Sequence, residues 1–506
     1  MHQRFLIAFA WIVLALMAVF IRFNNLPERP VHADEATGAR ILAQRLEEGS
    51  YSFDPTHFHG PLLTAAATPV ARLRDESSWK ELSEATIRIV PALAGSLLVL
   101  TPLLLLRWIG HTGALAGALL LATSPLLAYY SRMFIHEMLL ALAVLLAMAA
   151  FFHHVKQPGR LSAFIAGLAM GLMWTAKETL VITLLAWGVA LVPAAMAYWG
   201  PLWITRLRER VPSLGWLLIG VILTSLLFYT DFFRNPAGAL HSIETFLVYE
   251  TVAGHEKPFS YYAHLLLWPK FHAGVLWWEG VIGVMALAAV FLHGKKQASP
   301  ERRSFVIFLG ISTAAHFIIY SLISYKTPWL MVVPWAHACL LAGCLMLDLS
   351  LIRKPIRYAG IGGMALVAAL QLHQTLQANG RFAQDSRNPY AYVPTTRDAV
   401  RLGKWLVDLD ARIQPQSVEP IAVIGNGYWP LPWYLREFSS IGYWPQAGEF
   451  LKDQPLAIVL PGHFEVVEDL LHATHTALPR GLRQDTPIMV HIRNDLWETW
   501  MEAPEE

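Results

Sequence analysis

The sequence predicts a polytopic α-helical membrane protein that ends in a small α/β domain. Three observations carry that expectation. Of the 506 residues, 55% are hydrophobic and only 15% are charged, against roughly 25% charged in an average soluble domain. The apolar residues gather in runs that match the roughly 20 residues a helix needs to cross a bilayer. Beyond about residue 375 those runs stop, and short apolar strands alternate with helical stretches.

About eleven candidate spans lie near 5–22, 85–107, 112–130, 133–153, 161–176, 178–198, 213–230, 274–293, 304–324, 328–349 and 356–374. The first follows Met1-His2-Gln3-Arg4 and runs into Arg22 without a small-residue cleavage site, so it reads as an uncleaved signal anchor. Only Lys177-Glu178 separates the fifth from the sixth. Basic residues fall in alternate loops: Arg4; Arg107; Lys156 and Arg160; Arg206, Arg208 and Arg210; Lys295, Lys296, Arg302 and Arg303; Arg353, Lys354 and Arg357. Positive charge marks the cytoplasmic side. The N-terminus is then cytoplasmic, in the inner (cytoplasmic) membrane. The loops at 23–84 and 231–273 and the tail lie outside. The predicted division is a transmembrane domain over 1–375 and an extracytoplasmic α/β domain over 376–506.

In the first outer loop, Ala36, Ala39, Leu42, Ala43 and Leu46 make one apolar stripe, and Gly49 follows as a helix stop. Gly60-Pro61-Leu62-Leu63 opens a second apolar stretch to Val70. Both are expected to lie along the membrane surface. In the tail, Thr395-Thr396-Arg397-Asp398 resembles a capping box before a helix to about Arg412. Segments 420–425, 456–460 and 488–492 read as strands.

Several functions are disfavoured at this stage. A net charge of +2 gives no reason to expect nucleic acid. Cys339 and Cys344 share one apolar stretch and read as buried thiols, not a disulfide framework or a zinc site. The sequence shows no internal repeat of the kind that builds many transporters. Gly425-Asn426-Gly427 lacks the full nucleotide fingerprint.

The informative residues sit at the outer face. Asp34-Glu35 follows the first span, and adjacent carboxylates there are costly unless they work or stay wet. One reading has Asp34 as a helix cap with Glu35 favouring the helix N-terminus. The other makes Asp34 a general base, assisted by Glu35, that removes a proton from an acceptor hydroxyl. Arg132, Lys177 and Lys326 fall at outer span ends, against the charge pattern. Read as helix, Arg132 and His136 share a face with Glu137 close by, as an ion pair between spans or as part of a site. Lys177 with Glu178 is a local pair or a cation for a lipid phosphate. In Tyr325-Lys326-Thr327-Pro328-Trp329, proline places Lys326 at a helix N-terminus, where anions are favoured. A snorkelling lysine is the alternative. His32, His57 and His59 with the acid pair suggest a metal, but substrate hydrogen bonding or interfacial packing is the favoured reading. No cofactor is expected. Trp429 and Trp433 are candidates for stacking on a sugar, or for a domain core or membrane belt.

The order of a first span, an acid pair, Ala39 to Leu46, Gly49-Ser50-Tyr51 and Phe58-His59-Gly60-Pro61-Leu62 resembles the first outer loop of the GT-C glycosyltransferases, especially the protein O-mannosyltransferase and aminoarabinose transferase superfamily. Ser131-Arg132-Met133-Phe134 is similar to that superfamily too. Tyr325-Lys326-Thr327-Pro328-Trp329 and Trp429-Pro430-Leu431-Pro432-Trp433-Tyr434 look like a prokaryotic branch of flippase-activity-associated proteins. The resemblance implies a GT-C fold and a polyprenyl-phosphate sugar as donor. It implies that Asp34 acts as base or orients the acceptor, and that Lys177, Lys326 and Arg132, with Tyr325, bind the lipid phosphate. The chain departs from the pattern at two places. It has His136-Glu137 where the mannosyltransferases often carry an acid. It has Phe58-His59-Gly60-Pro61 where the aminoarabinose enzymes have a lysine near the proline, with His59 as the candidate to replace it.

The expectation is a glycosyltransferase that moves a sugar from a polyprenyl-phosphate carrier to a glycan, lipid or protein acceptor outside the membrane. Substrate contacts would come from His57, His59, His136, Glu137, Glu178, Trp429 and Trp433. The alternative is a lipid-carrier flippase or a non-catalytic flippase-associated protein holding the same phosphate.

Overall fold

The computed structural model describes residues 2–248, 254–294, 299–347 and 353–503. Lys295 and Lys296 lie outside the described residues. The first span is α1, His2–Phe23. It turns Phe5, Phe9, Ile12, Leu16 and Phe20 outward, as a lipid-facing helix does. The two helices expected in the loop after the first span follow as α2, Ala33–Glu48, and α3, Leu62–Leu73. Gly49 ends α2 in the left-handed conformation at φ 71°, which costs glycine little.

The helical body continues with α4, Glu84–Leu100; α5, Leu106–Thr123; α6, Pro125–Tyr130; α7, Glu137–Lys156; α8, Arg160–Ala176; and α9, Leu180–Trp199. Then come α10, Trp203–Arg208; α11, Leu214–Tyr229; and α12, Gly238–Val248. A short antiparallel hairpin of β1, Lys270–His272, and β2, Val275–Trp277, precedes α13, Gly280–His293. After it run α14, Pro300–Leu322; α15, Val332–Gly343; and α16, Lys354–Asn379.

Eight helices among the described residues are long and apolar enough to cross a membrane. The eleven-span expectation differs for definite reasons. Glu84–Thr123 forms one continuous helical stretch, interrupted at Gly110, where two spans were expected. Helices α8 and α13 are apolar but shorter than a full span. The 133–153 segment starts as helix only at Glu137, because 131–136 forms turns.

The tail contributes α17, Arg397–Arg412; β3, Ile421–Ile424; α18, Leu431–Tyr434; β4, Ile441–Trp444; β5, Leu456–Val459; α19, Phe464–Leu471; β6, His475–Arg483; β7, Thr486–Arg493; and α20, Asn494–Glu502. Thr396 caps α17 by accepting from Ala399 N–H. The strands form one sheet in the order β4-β3-β5-β7-β6. Its β3 is parallel to β4 and β5, while β7 is antiparallel to β5 and β6. Strands β3 and β5 are buried throughout, which explains their unbroken apolar runs. The sequence reading missed β4 and β6, whose burial is only partial.

This sheet is tied to the loop between α1 and α4. Val31 N–H donates to the Tyr434 hydroxyl at 2.8 Å, and the Thr395 hydroxyl donates to Val31 C=O at 2.7 Å. Trp433 Nε1 donates to Glu84 at 2.9 Å. The two bonds to Val31 fix the segment that leads directly into the acid pair, and the bond to Glu84 fixes the start of α4.

Candidate active site

The geometry begins at the N-terminus of α2. His32 is the N-cap: its Nδ1 accepts from Asp34 N–H at 3.1 Å, and its own N–H donates to Glu35 Oε2 at 3.0 Å. This reciprocal pair locks the first turn. The helix cap is therefore His32, not Asp34. Neighbouring residues on a helix point about 100° apart, so locking the turn sends the two acids to different surroundings.

Glu35 is fully buried. Arg88 Nε donates to its Oε1 at 2.8 Å and Arg88 Nη2 to its Oε2 at 2.9 Å. Phe134 N–H also donates to Oε1, at 3.0 Å. Burial pushes the Glu35 carboxyl up, but the charges of Arg88 and Arg29 and the hydrogen bonds from Arg88 and His32 outweigh it. They bring the group down to about 2. Glu35 is thus a structural anion with no face left for substrate. The Asp34 side chain is 51% exposed.

Around Asp34 stand groups from distant parts of the chain. Its charge reaches His255 and Tyr392. His255 Nδ1 lies 2.7 Å from the Tyr392 hydroxyl, and its ring is 5.1 Å from that of Tyr325. Trp329 places its ring near those of His32, Tyr130 and Tyr392 at 5.7, 5.9 and 5.6 Å. Arg29 sits 4.8 Å over the Tyr129 ring. Arg29, His32, Tyr129, Tyr130, Met133, Trp329 and Tyr392 line a narrow crevice beside the N-terminus of α2.

A second cluster forms where the first loop touches α8. Gly60 lies so close to the chain that a Cβ would meet Thr175 O at 2.2 Å. That contact sets His59 Nδ1 3.0 Å from Glu178 Oε2, with the His59 ring 5.1 Å from His136. Lys177 Nζ donates to Glu137 Oε1 at 2.6 Å, and both side chains are buried. Burial raises the Glu178 carboxyl, yet the charge and hydrogen bond of His59, with Lys177, bring it down to about 2. Burial, with the charges of His59 and Lys177, pushes the His136 imidazole well below its ordinary value. Tyr130 connects the clusters, within electrostatic reach of both Arg29 and Glu137.

The remaining expected site residues are placed elsewhere. Arg132 does not share a helix face with His136. Its guanidinium donates to the carbonyls of Ile21, Asn24 and Asn25 at 3.0, 2.7 and 2.9 Å, closing the C-terminal end of α1. Lys326 Nζ donates to Lys257 C=O at 3.0 Å and to Ile323 C=O. With the Glu256–Tyr325 bridge, it holds the segment at 256–257 against the segment before Pro328. His57 is exposed and pairs with Asp54 at 3.2 Å. The three histidines therefore lie apart, and among the described residues no group of three or more His, Cys, Asp or Glu is placed to hold a metal. Trp433 is buried on Glu84, so it is core, while Trp429 is half-buried beside Tyr428.

The sequence reading missed Arg88, Arg29, His255 and Tyr392. Arg88 had a signal, an arginine near the start of an apolar run. His255 and Tyr392 had none, because only the tertiary fold brings them to α2.

Residues 59–229 match the family model described as Dolichyl-phosphate-mannose-protein mannosyltransferase. No curated protein sequence matches the chain. Its fold is similar to crystal structures of ArnT from Cupriavidus metallidurans. With the form bound to undecaprenyl phosphate, the TM-score is 0.63 at 16% identity, covering 98% of this chain and 99% of that one. With the apo form it is 0.63 at 17%, covering 99% and 100%. The archaeal oligosaccharyltransferase AglB from Archaeoglobus fulgidus, in complex with an inhibitory peptide and a dolichol-phosphate, gives 0.54 at 14%, covering 99% and 78%. The agreement in fold along nearly the whole length gives this multi-pass membrane protein the GT-C fold.

Proposed function

We propose that the protein transfers a sugar from a polyprenyl-phosphate carrier to an acceptor hydroxyl at the outer face of the cytoplasmic membrane, with Asp34 as general base. The acceptor oxygen bonds to the anomeric carbon as the bond from that carbon to the phosphate oxygen breaks. The acceptor proton goes to Asp34, and the carrier leaves as polyprenyl phosphate with the bonding electron pair. The observation that carries this reading is the divergence of the acid pair. Glu35 is fully engaged by Arg88 and two backbone N–H groups, while Asp34 remains half exposed beside an aromatic crevice. Glu35 accordingly positions Asp34 and takes no proton itself.

The donor phosphate is assigned to Lys177 and His59, with Arg29 added from the crevice wall. Glu137 compensates the buried Lys177 charge until a phosphate arrives. Cations there would stabilise the charge that develops on the leaving group. Lys326 and Arg132 support the loops on either side. The ArnT structure bound to undecaprenyl phosphate and the AglB complex with a dolichol-phosphate support a lipid-phosphate ligand for this fold.

The test compares wild type with Asp34→Asn in nanodiscs. Transfer of radiolabelled sugar from cell-derived polyprenyl-phosphate sugars should be lost, while native mass spectrometry still finds bound polyprenyl phosphate. Transfer at the wild-type rate by Asp34→Asn would overturn the assignment.

A further inference from the structure

The C-terminal end of α2, the helix α3 and the turn after α11 line an open cavity of about 530 Å³ that shares no lining residue with either cluster. Its charged walls are Arg45, Arg72 and Arg234. Arg45 is buried, 6% exposed, and its Nη2 pairs with the buried carboxylate of Asp231. Its Nη1 is buried and has no hydrogen-bond partner. A guanidinium offers five donors in a fixed fork, and an unused buried N–H is costly.

Asp231 is the facing acid. It also accepts from Tyr51 N–H at 3.1 Å and lies 3.8 Å from Arg234. Three guanidinium groups against one carboxylate leave the cavity positively charged. Burial lowers the proton affinity of Arg45; Asp231 and Tyr51 oppose this, and the like charges of Arg234 and Arg72 add to it. An anion would relieve that repulsion.

The flanks are apolar and strongly exposed. Leu73 is 86% exposed, and Phe232 and Phe233 are 47% and 62% exposed. Asp231, Phe232 and Phe233 have φ of 49°, 57° and 69°, a left-handed turn that L residues adopt only at a cost. The turn buries the acid against Arg45 and turns both rings outward. Charge in the cavity beside exposed apolar groups is the pattern of a lipid headgroup site.

We infer that Arg45, Arg72 and Arg234 form a binding site for a phosphate ester, the headgroup phosphate of an anionic membrane lipid, separate from the donor site. Arginine suits this ligand because its fork matches phosphate oxygens in pairs. Leu73, Phe232 and Phe233 would lie along the acyl chains.

The test uses full-length protein in nanodiscs of mixed phosphatidylglycerol and phosphatidylcholine, released into native mass spectrometry. Wild type should retain phosphatidylglycerol. Arg72→Ala/Arg234→Ala should retain it at least tenfold less while keeping its thermal midpoint, and Arg72→Lys/Arg234→Lys should recover part of it. A second arm titrates inorganic phosphate into protein in neutral detergent at constant ionic strength. A rise in thermal midpoint for wild type but not for the alanine variant, without a phosphatidylglycerol preference, would support the site and make free phosphate its source. Equal lipid retention and equal phosphate response in wild type and variant would overturn the inference.

Discussion

Arg88 and Glu35 form a bidentate, fully buried ion pair between the first turn of α2 and α4, with Nε to Oε1 at 2.8 Å and Nη2 to Oε2 at 2.9 Å. The other Arg88 nitrogen, Nη1, donates to the carbonyls of Leu26 and Arg29. One arginine therefore gathers the whole approach to Asp34.

Breaking that pair should be severe. Arg88→Met leaves a buried carboxylate without its main partner, and such losses cost about 3–5 kcal/mol. Thermal inactivation in detergent should show a large drop for Arg88→Met and Glu35→Gln, but little change for the exposed Asp34→Asn. Equal stability of all three variants would contradict the anchoring role of Glu35.

Activity should divide the other way. Loss of a general base removes about 10²–10⁴-fold in rate, so Asp34→Asn should lower kcat by that order while bound carrier is retained. Conservative Asp34→Glu should recover part of the rate. Single-turnover transfer separates this outcome from a change in donor affinity.

Lys177→Ala should leave Glu137 uncompensated in a buried place. Pairing it with Glu137→Gln should restore stability but not carrier retention, if Lys177 also meets the phosphate. A double-mutant cycle on thermal midpoint and on co-purified lipid reads both quantities.

At the two clusters, acid should act through Glu35, Glu178 and His136. Glu35 and Glu178 are each held down from 4.5 to about 2 in the folded protein. Their contribution is complete above pH 4.5 and is lost as pH falls toward 2. His136 is kept neutral below its ordinary 6.5 by burial, so lowering the pH from there also favours the unfolded chain. Stability measured from pH 7 to 3 should fall throughout, and Glu35→Gln should flatten the part below 4.5. A slope unchanged by Glu35→Gln would refute the assignment.

Gly60→Ala should separate the two clusters. The new methyl group would meet Thr175 O at 2.2 Å, and backbone cannot yield as a flexible side chain does. The expected result is weaker carrier retention with Asp34 still in place, checked by lipid analysis of the purified variant.

The sequence by itself determined what depends on local pattern. Apolar runs of membrane length, the stripe Ala36 to Leu46 with its stop at Gly49, and the buried strands β3 and β5 all follow from periodicity and burial. It also singled out Asp34-Glu35, because paired charge beside a span is conspicuous. The tertiary structure decided how that pair is used. Which acid meets Arg88, whether Lys326 spends its donors on loop carbonyls, and that His255 and Tyr392 face α2 are matters of long-range contact. The physical reason is that a side chain's role follows from what neutralises or hydrates it, and at this site most partners lie fifty to several hundred residues away along the chain.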